Sequence, residues 1–308
     1  MPLLAIQRRL ADAAGAGLVS SGGASPQVPG EVAAQRRILR FEGAVNLRDF
    51  GGYATEDGGR VATGRLYRCG TLADLTDGGK RAFAELDVKL ICDLRRGDEK
   101  AAEPTPELAG APGRLEIPID PGSAVAMRER LDEGGLTLKE RIDFMVGINR
   151  DLASNHAEDY ARMFERLLEL EDGAFLVHCS AGKDRTGFAC ALILHALGVS
   201  EATVLEDYLL TNEAMDYEGY VQKRIRAEPS AGEREGPVPR KKQLWTHLEA
   251  DRESTMALFG VRPEYLRSAY DAIAAEFEGV EHYIEQAIGL DSAARQRLRS
   301  RYVVSAEA

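Results

Sequence analysis

The chain has 308 residues and a formal net charge of -11, with hydrophobic residues at 44% and charged residues at 29%. That length holds one sizeable core or two small ones, and so acidic a surface argues against general binding to nucleic acid or adhesion to anionic membranes. The cysteines Cys69, Cys92, Cys179 and Cys190 form no C-x-x-C pair and no zinc-ligand spacing with the histidines, so no disulfide scaffold, metal or other cofactor is expected and a reducing cytoplasm is the default compartment.

From about residue 12 to 31 the chain is rich in Ala, Gly, Ser and Pro, so residues 1–35 read as a flexible N-terminal tail. The start lacks a basic stretch followed by a clean apolar one and is not read as a signal peptide; secretion by a signal-less route stays open. No run is long and apolar enough to span a bilayer. The folded domain, residues 36–308, opens near "RRILRFEGAVNLRDFGGY". Strand residues stand between glycines in "GRVATGRLYRCG", and "LTDGGKRAFAEL" predicts a short helix leading into "VKLICDLR". Val88 to Cys92 is apolar except for Lys89, which suits a strand buried on both faces. A further strand is expected at Arg114 to Ile119, closed by a turn at Asp120 and Pro121.

Between 123 and 156 the chain is polar and broken at Gly134 and Gly135, with Leu138, Ile142, Met145 and Val146 at helical spacing. This segment reads as a helical lid inserted over a site rather than as core. Tyr160, Met163, Phe164, Leu167 and Leu168 then recur as one face of an amphipathic helix. The strand "AFLVHC" follows, then a polar loop, a helix through Leu197, and helices in "SEATVLEDYLLTNEAM" and "PEYLRSAYDAIAAEFEGVEHYIEQAIGL". A polar loop with three prolines occupies 227–240. Strands alternating with helices predict a single α/β domain whose central, largely parallel sheet is flanked by helices.

The chemistry concentrates in "HCSAGKDRTG", from His178 to Gly187. A cysteine and an arginine at C-x5-R spacing are a weak signal by themselves. Their setting sharpens it: a strand ends at Cys179, a helix begins just after Arg185, and Gly182 lies between. Backbone N–H groups of such a loop converge at a helix N-terminus, where an anion binds. Ser180, Ala181, Gly182, Lys183, Asp184 and Arg185 would then hold a phosphate, with Arg185 gripping two of its oxygens. A cradle of that kind favours a thiolate, and a thiolate at its floor can attack phosphorus. A nucleotide-binding P-loop is excluded, because Val177 stands where its first glycine belongs and Asp184 where its Ser or Thr would bind magnesium.

"HCSAGKDRTG" resembles the H-C-x5-R-[ST] signature of cysteine-dependent protein tyrosine phosphatases. "NLRDFGGY", "GRLYRCG", "ICDLRRGDE" and "DYLLTN" resemble further motifs of the bacterial tyrosine/serine phosphatase family that includes mycobacterial phosphatase B. The resemblance runs from about Arg40 to Leu290. It implies a tyrosine-phosphatase-like fold and metal-free hydrolysis through a phosphocysteine on Cys179, with Arg185 holding the phosphoryl oxygens. Thr186 would hydrogen-bond the departing sulfur, and His178 would orient the loop through a buried hydrogen bond. Asp184, Asp93 and Asp120 compete for the general acid, with Asp184 and Asp93 favoured. Asp93 enters because ligands meet the carboxyl ends of parallel strands. The implied substrates are phosphorylated proteins or peptides, with phosphoserine and phosphoinositides in addition, since Lys183 adds a second cation. A rhodanese-like sulfurtransferase and a non-catalytic phosphate-binding module are the competing readings. Asn46, Arg48 and Asp49 are expected near the site mouth, and Cys92 is weighed as a thiol that could trap an oxidised Cys179.

Overall fold

The strands follow from short apolar runs whose alternate residues find cores on opposite faces. In a computed structural model, which describes residues 37–122, 136–220 and 252–305, they form a five-stranded sheet. These strands are β1 (Arg48–Asp49), β3 (Leu66–Cys69), β4 (Val88–Asp93), β5 (Gly113–Glu116) and β6 (Ala174–His178), in the spatial order β1-β3-β6-β4-β5. β1 is antiparallel to β3, and the other neighbours run parallel. β6 is therefore central, with Cys69 and Asp93 both opposite His178. Phe175 and Val177 enter the larger core, while Ala174 and Leu176 enter the smaller one on the other face. β2 (Gly59–Val61) pairs separately with β7 (Val303–Ser305).

The smaller core is closed by α1 (Asp77–Ala84), capped by Thr76 and contributing Phe83. The short α2 (Gly97–Ala102) follows β4. On the opposite face lie α3 (Leu138–Asn155), α4 (Ala157–Glu169) and α5 (Asp184–Ala196), then α6 (Glu201–Leu209) and α7 (Thr211–Ala214). α8 (Arg252–Phe259), α9 (Pro263–Glu276), α10 (Val280–Gln286) and α11 (Ser292–Tyr302) follow. α5 is buried along nearly its whole length from Thr186 to Ala196. Its C-terminal carbonyls are taken by α11: Arg295 donates to His195 O and Ala196 O, each at 3.0 Å, and Arg299 to Leu197 O. Arg301 of the same helix donates to Leu168 O and to Leu170 O, at the end of α4. Cations there satisfy orphan carbonyls and oppose the helix dipole.

Three expectations need correction. The edge strand β5 stops at Glu116; Ile117 and Ile119 still donate backbone hydrogen bonds to Asp93 O and Leu94 O, but outside regular pairing. The segment expected as a lid is in part core: α3 sends Met145, Leu152 and Ala153 into the main cluster beside Tyr265 and Ile273 of α9. Its other part, 123–135, lies outside the described residues, as do the tail to residue 36 and the loop at 227–240. The helix after the polar loop begins at Asp184 rather than after Arg185. Among the described residues no helix is long and apolar enough to cross a membrane.

Candidate active site

β6 delivers Cys179 to the carboxyl edge of the sheet, and the chain turns at Gly182 before α5 begins. Gly182 has φ +67°, and a Cβ there would fall 2.4 Å from the Cys69 carbonyl, so only glycine fits this turn. The turn borders a cavity of about 170 Å³ lined by Cys179, Ser180, Ala181, Lys183, Asp184 and Arg185. Glu99 closes one side, and Met215, Tyr220, Leu258 and Phe259 supply apolar walls.

Arg185 is held from outside the loop. Its Nη1 and Nη2 donate to the two oxygens of Glu99 at 2.7 and 2.8 Å, and Nη1 also reaches Leu94 O and Ile119 O at 3.2 Å. Glu99 accepts two further bonds, from Ser180 Oγ at 2.7 Å and from the Arg96 amide at 2.9 Å, which fills its acceptor capacity. Burial alone would raise the Glu99 pKa, but Arg185 holds it well below the usual carboxylate range. Burial likewise works against the Arg185 charge, and Glu99 more than restores it. The arginine is thus a fixed cation whose Nε makes no hydrogen bond among the described residues and whose Nε–Nη2 edge can meet an anion.

Glu99 was not singled out by the sequence reading, although it ends the motif "ICDLRRGDE". It looks like an ordinary first-turn acid of a short helix, its carboxylate accepting from the Arg96 amide at the N-cap. The available signal was a conflict: an acid placed one turn after a strand end where an anion was expected to bind.

The other site residues separate into two groups. Asp184 lines the cavity, with Asn149 Nδ2 and Lys183 Nζ each 3.5 Å from its carboxylate. Lys183 donates to Leu258 O at 2.6 Å, so α8 is tied to the loop through this ammonium. Asp93 does not line the cavity. Arg95 takes both its oxygens, Nε to Oδ1 at 2.9 Å and Nη2 to Oδ2 at 2.7 Å, and that pairing removes it from the general-acid candidates. Asp120 is half exposed and pairs with Arg96 at 3.3 Å, also away from the lining.

Thr186 is fully buried, and its hydroxyl has no hydrogen-bond partner among the described residues, so the bond to sulfur expected of it is not formed here. The His178 ring is buried with neither nitrogen in a well-formed hydrogen bond; Nε2 lies 3.5 Å from Asp93 Oδ2. Burial lowers its pKa to about 4, which keeps it neutral near pH 7. Asn46 and Arg48 stand behind the loop rather than at its mouth, and Asp49 braces a turn by accepting from the amides of Gly51 and Gly64 at 2.7 Å. Cys92 lies opposite Val177, not Cys179. Strand spacing then separates the two cysteine Cα atoms by roughly 8 Å, beyond the reach of about 7 Å for a disulfide without backbone movement.

A family model described as the tyrosine phosphatase family matches residues 39–304. A provisionally named tyrosine-protein phosphatase of Cupriavidus necator is 31% identical over 293 residues, covering 94% of this chain and 97% of that protein. The triple specificity protein phosphatase of Mycobacterium tuberculosis is 29% identical over 288 residues, covering 85% of this chain and 98% of its own length. Among solved structures, a variant of human DUSP28 aligns over 53% of this chain and 88% of its own, at 18% identity and a TM-score of 0.29.

Proposed function

The chain belongs to the tyrosine phosphatase family and is a phosphoric monoester hydrolase, and from that premise we propose that Cys179 is its nucleophile and Asp184 its general acid. The observation that carries the reading is Cys179 at the floor of a cavity whose rim holds a fixed arginine, a carboxylate and the start of α5.

In the first step the Cys179 thiolate attacks phosphorus. The P–S bond forms as the bond to the ester oxygen breaks, and Asp184 gives that oxygen its proton. In the second step water attacks phosphorus, its proton passes to the Asp184 carboxylate, and the P–S bond returns its electrons to sulfur. Arg185 and the loop amides stabilise the equatorial oxygens in both steps without having to reorganise. The rigid grip of Glu99 on Arg185 supports that role, because a pre-placed cation is worth more than one that must be gathered.

Phosphotyrosine is the first proposed substrate class, since Met215, Tyr220 and Phe259 offer apolar walls to an aromatic ring above the loop. Phosphoserine and phosphoinositide headgroups come second. A specificity wider than phosphotyrosine is supported by the words "triple specificity" in the M. tuberculosis relative's name, and the headgroup reading by Lys183 at the cavity. A reducing, cytoplasmic setting is proposed because all four cysteines are unpaired and the nucleophile must stay a thiol. No finding favours the sulfurtransferase or the non-catalytic module.

The test is hydrolysis of a series of aryl phosphates by the wild type, Cys179→Ser and Asp184→Asn. Cys179→Ser should lose turnover yet keep vanadate binding, and acid quenching of the wild type should trap a phosphoryl group on Cys179. Asp184→Asn should lose roughly 10²- to 10⁴-fold in kcat with poor leaving groups and far less with 4-nitrophenol. Near-normal turnover by Cys179→Ser would sink the covalent mechanism; a uniform loss across leaving groups would move the acid elsewhere.

A further inference from the structure

We infer that Asn46 and Arg68 are positioning residues of the phosphate loop: they hold its carbonyls outward so that its amides converge on the bound anion. This rests on the loop being the phosphate site. The observation is made on the side of the loop facing away from the cavity. Ser180 O accepts from the Thr71 amide at 2.9 Å. Ala181 O accepts from Asn46 Nδ2 at 3.2 Å, and Gly182 O accepts from the same Nδ2 at 2.8 Å and from Arg68 Nη2 at 3.1 Å. Three successive carbonyls are therefore tied toward β1 and β3. A trans peptide is planar, with its N–H opposed to its C=O. Fixing those carbonyls turns the amides of Ala181, Gly182 and Lys183 the other way, toward the cavity that Ala181 and Lys183 line.

The two residues are themselves anchored by further buried hydrogen bonds. Asn46 takes a left-handed φ of +53°, which asparagine tolerates. Arg48 Nη1 donates to its Oδ1. Arginine has only donors, so the amide oxygen must face Arg48 and the NH₂ must face the loop. Arg68 is anchored from behind by Asp207, with Nη1 to Oδ2 at 2.7 Å. Asp207 Oδ1 accepts from Tyr53 Oη at 3.2 Å and lies 3.6 Å from Arg48 Nε. Arg48 also donates through Nη2 to Asp207 O and Thr211 Oγ1, both at 3.0 Å. Every charged group of this set is at most 1% exposed.

Two buried guanidiniums face one carboxylate, so the set carries an excess positive charge. Burial, with Arg68 adding to it, pushes Arg48 down to about 10. Such an excess is costly unless an anion lies close by, and Arg68 Nη2 is bonded directly to the proposed phosphate loop, at Gly182 O.

The test uses the full chain with Asn46→Gly, Arg68→Gln and Arg68→Lys. Glycine keeps the left-handed backbone while removing the amide donor. Gln at 68 leaves Asp207 paired with Arg48, so no carboxylate is stranded. Thermal melting checks the fold, 4-nitrophenyl phosphate gives kcat and KM, and vanadate and inorganic phosphate report anion binding. Asn46→Gly and Arg68→Gln should each lose roughly 10²-fold in kcat, the scale of one lost oxyanion donor, with KM within about threefold of wild type. Vanadate, which resembles the transition state, should weaken by a similar factor and phosphate by much less. Arg68→Lys should fall between, because an ammonium lacks the fork that reaches Asp207 and Gly182 O together. Folded variants with unchanged kcat and vanadate affinity would overturn the inference, and so would losses that only track the unfolded fraction. If the wild type hydrolyses no aryl phosphate, the nucleophile assignment fails, while vanadate binding still decides the role of the two residues.

Discussion

Two clusters of buried charge flank the end of β6, and they are built on different accounts of charge. In the first, Arg95 covers both oxygens of Asp93 and also donates to Glu103 O and Thr105 Oγ1, at 2.6 and 2.7 Å. Its neighbour His178 is kept neutral by burial. Every charge has its partner, and the cluster pins the end of β4 to the chain at 103–105. In the second, Arg48 and Arg68 share Asp207, and the surplus faces the phosphate loop. The contrast separates holding a fold from preparing a site. A balanced cluster is complete without ligand, whereas under the proposed function an unbalanced one would be completed by the anion that the loop holds.

The largest effect should come from emptying the second cluster of its only carboxylate. Asp207→Asn leaves two buried guanidiniums without a counter-charge and should cost about 3–5 kcal/mol of stability. Saturating inorganic phosphate should then raise the melting temperature of the variant more than that of the wild type. A variant as stable as wild type would mean that the two clusters do not differ in kind.

Acid should probe the first cluster through His178, together with the buried His195 at the far end of α5. His178 and His195 are each held at about 4 by burial, below the ordinary value of 6.5. The unfolded chain therefore binds more protons between pH 6.5 and 4, and their share of stability, full above 6.5, is lost as pH falls through that window. Asp49 works the other way: burial raises it from 3.8 to about 6, so its cost is relieved on acidification. The histidines outweigh it, and urea unfolding should show a net loss of about 2 kcal/mol between pH 7 and 5. An unchanged midpoint would mean that His178 and His195 do not stay neutral in the fold.

The smallest effect belongs to charges at the surface. Arg96 pairs with Asp98 and Asp120, both more than half exposed. Asp120→Asn should change stability by less than about 1 kcal/mol and kcat by less than about threefold, since solvent screens such pairs. A large fall in kcat would return Asp120 to the search for the general acid.

The sheet and the loop were legible because β4 and β6 are short apolar runs ending in polar residues, and because Gly182 marks the turn. What escaped was carried by polar residues whose partners are distant in sequence. Glu99 meets Arg185 across 86 positions, and Arg68 meets Gly182 across 114. An arginine in the otherwise apolar "LYRC" was a visible signal of a buried role, because the cost of burying it requires a partner. The lid reading of 123–156 rests on a polar segment broken at Gly134 and Gly135, a pattern in which the burial of Asn149 and Arg141 in α3 leaves no mark. α11 shows only a thin apolar stripe, Ala294, Leu298 and Tyr302 at four-residue spacing, and much of its work is done by arginine side chains on carbonyls.

Those arginine caps bear on the order in which the protein becomes competent during synthesis. α5 carries the loop at one end and depends at the other on Arg295 and Arg299, about a hundred positions later. β2, near the start of the described chain, likewise waits for β7 to pair with it. Loop-closing contacts of such long range form late. A nascent chain still lacking α11 on the ribosome should therefore expose an uncapped helix and an unfinished anion cradle. Phosphatase activity should then appear only after residue 302 has emerged from the exit tunnel.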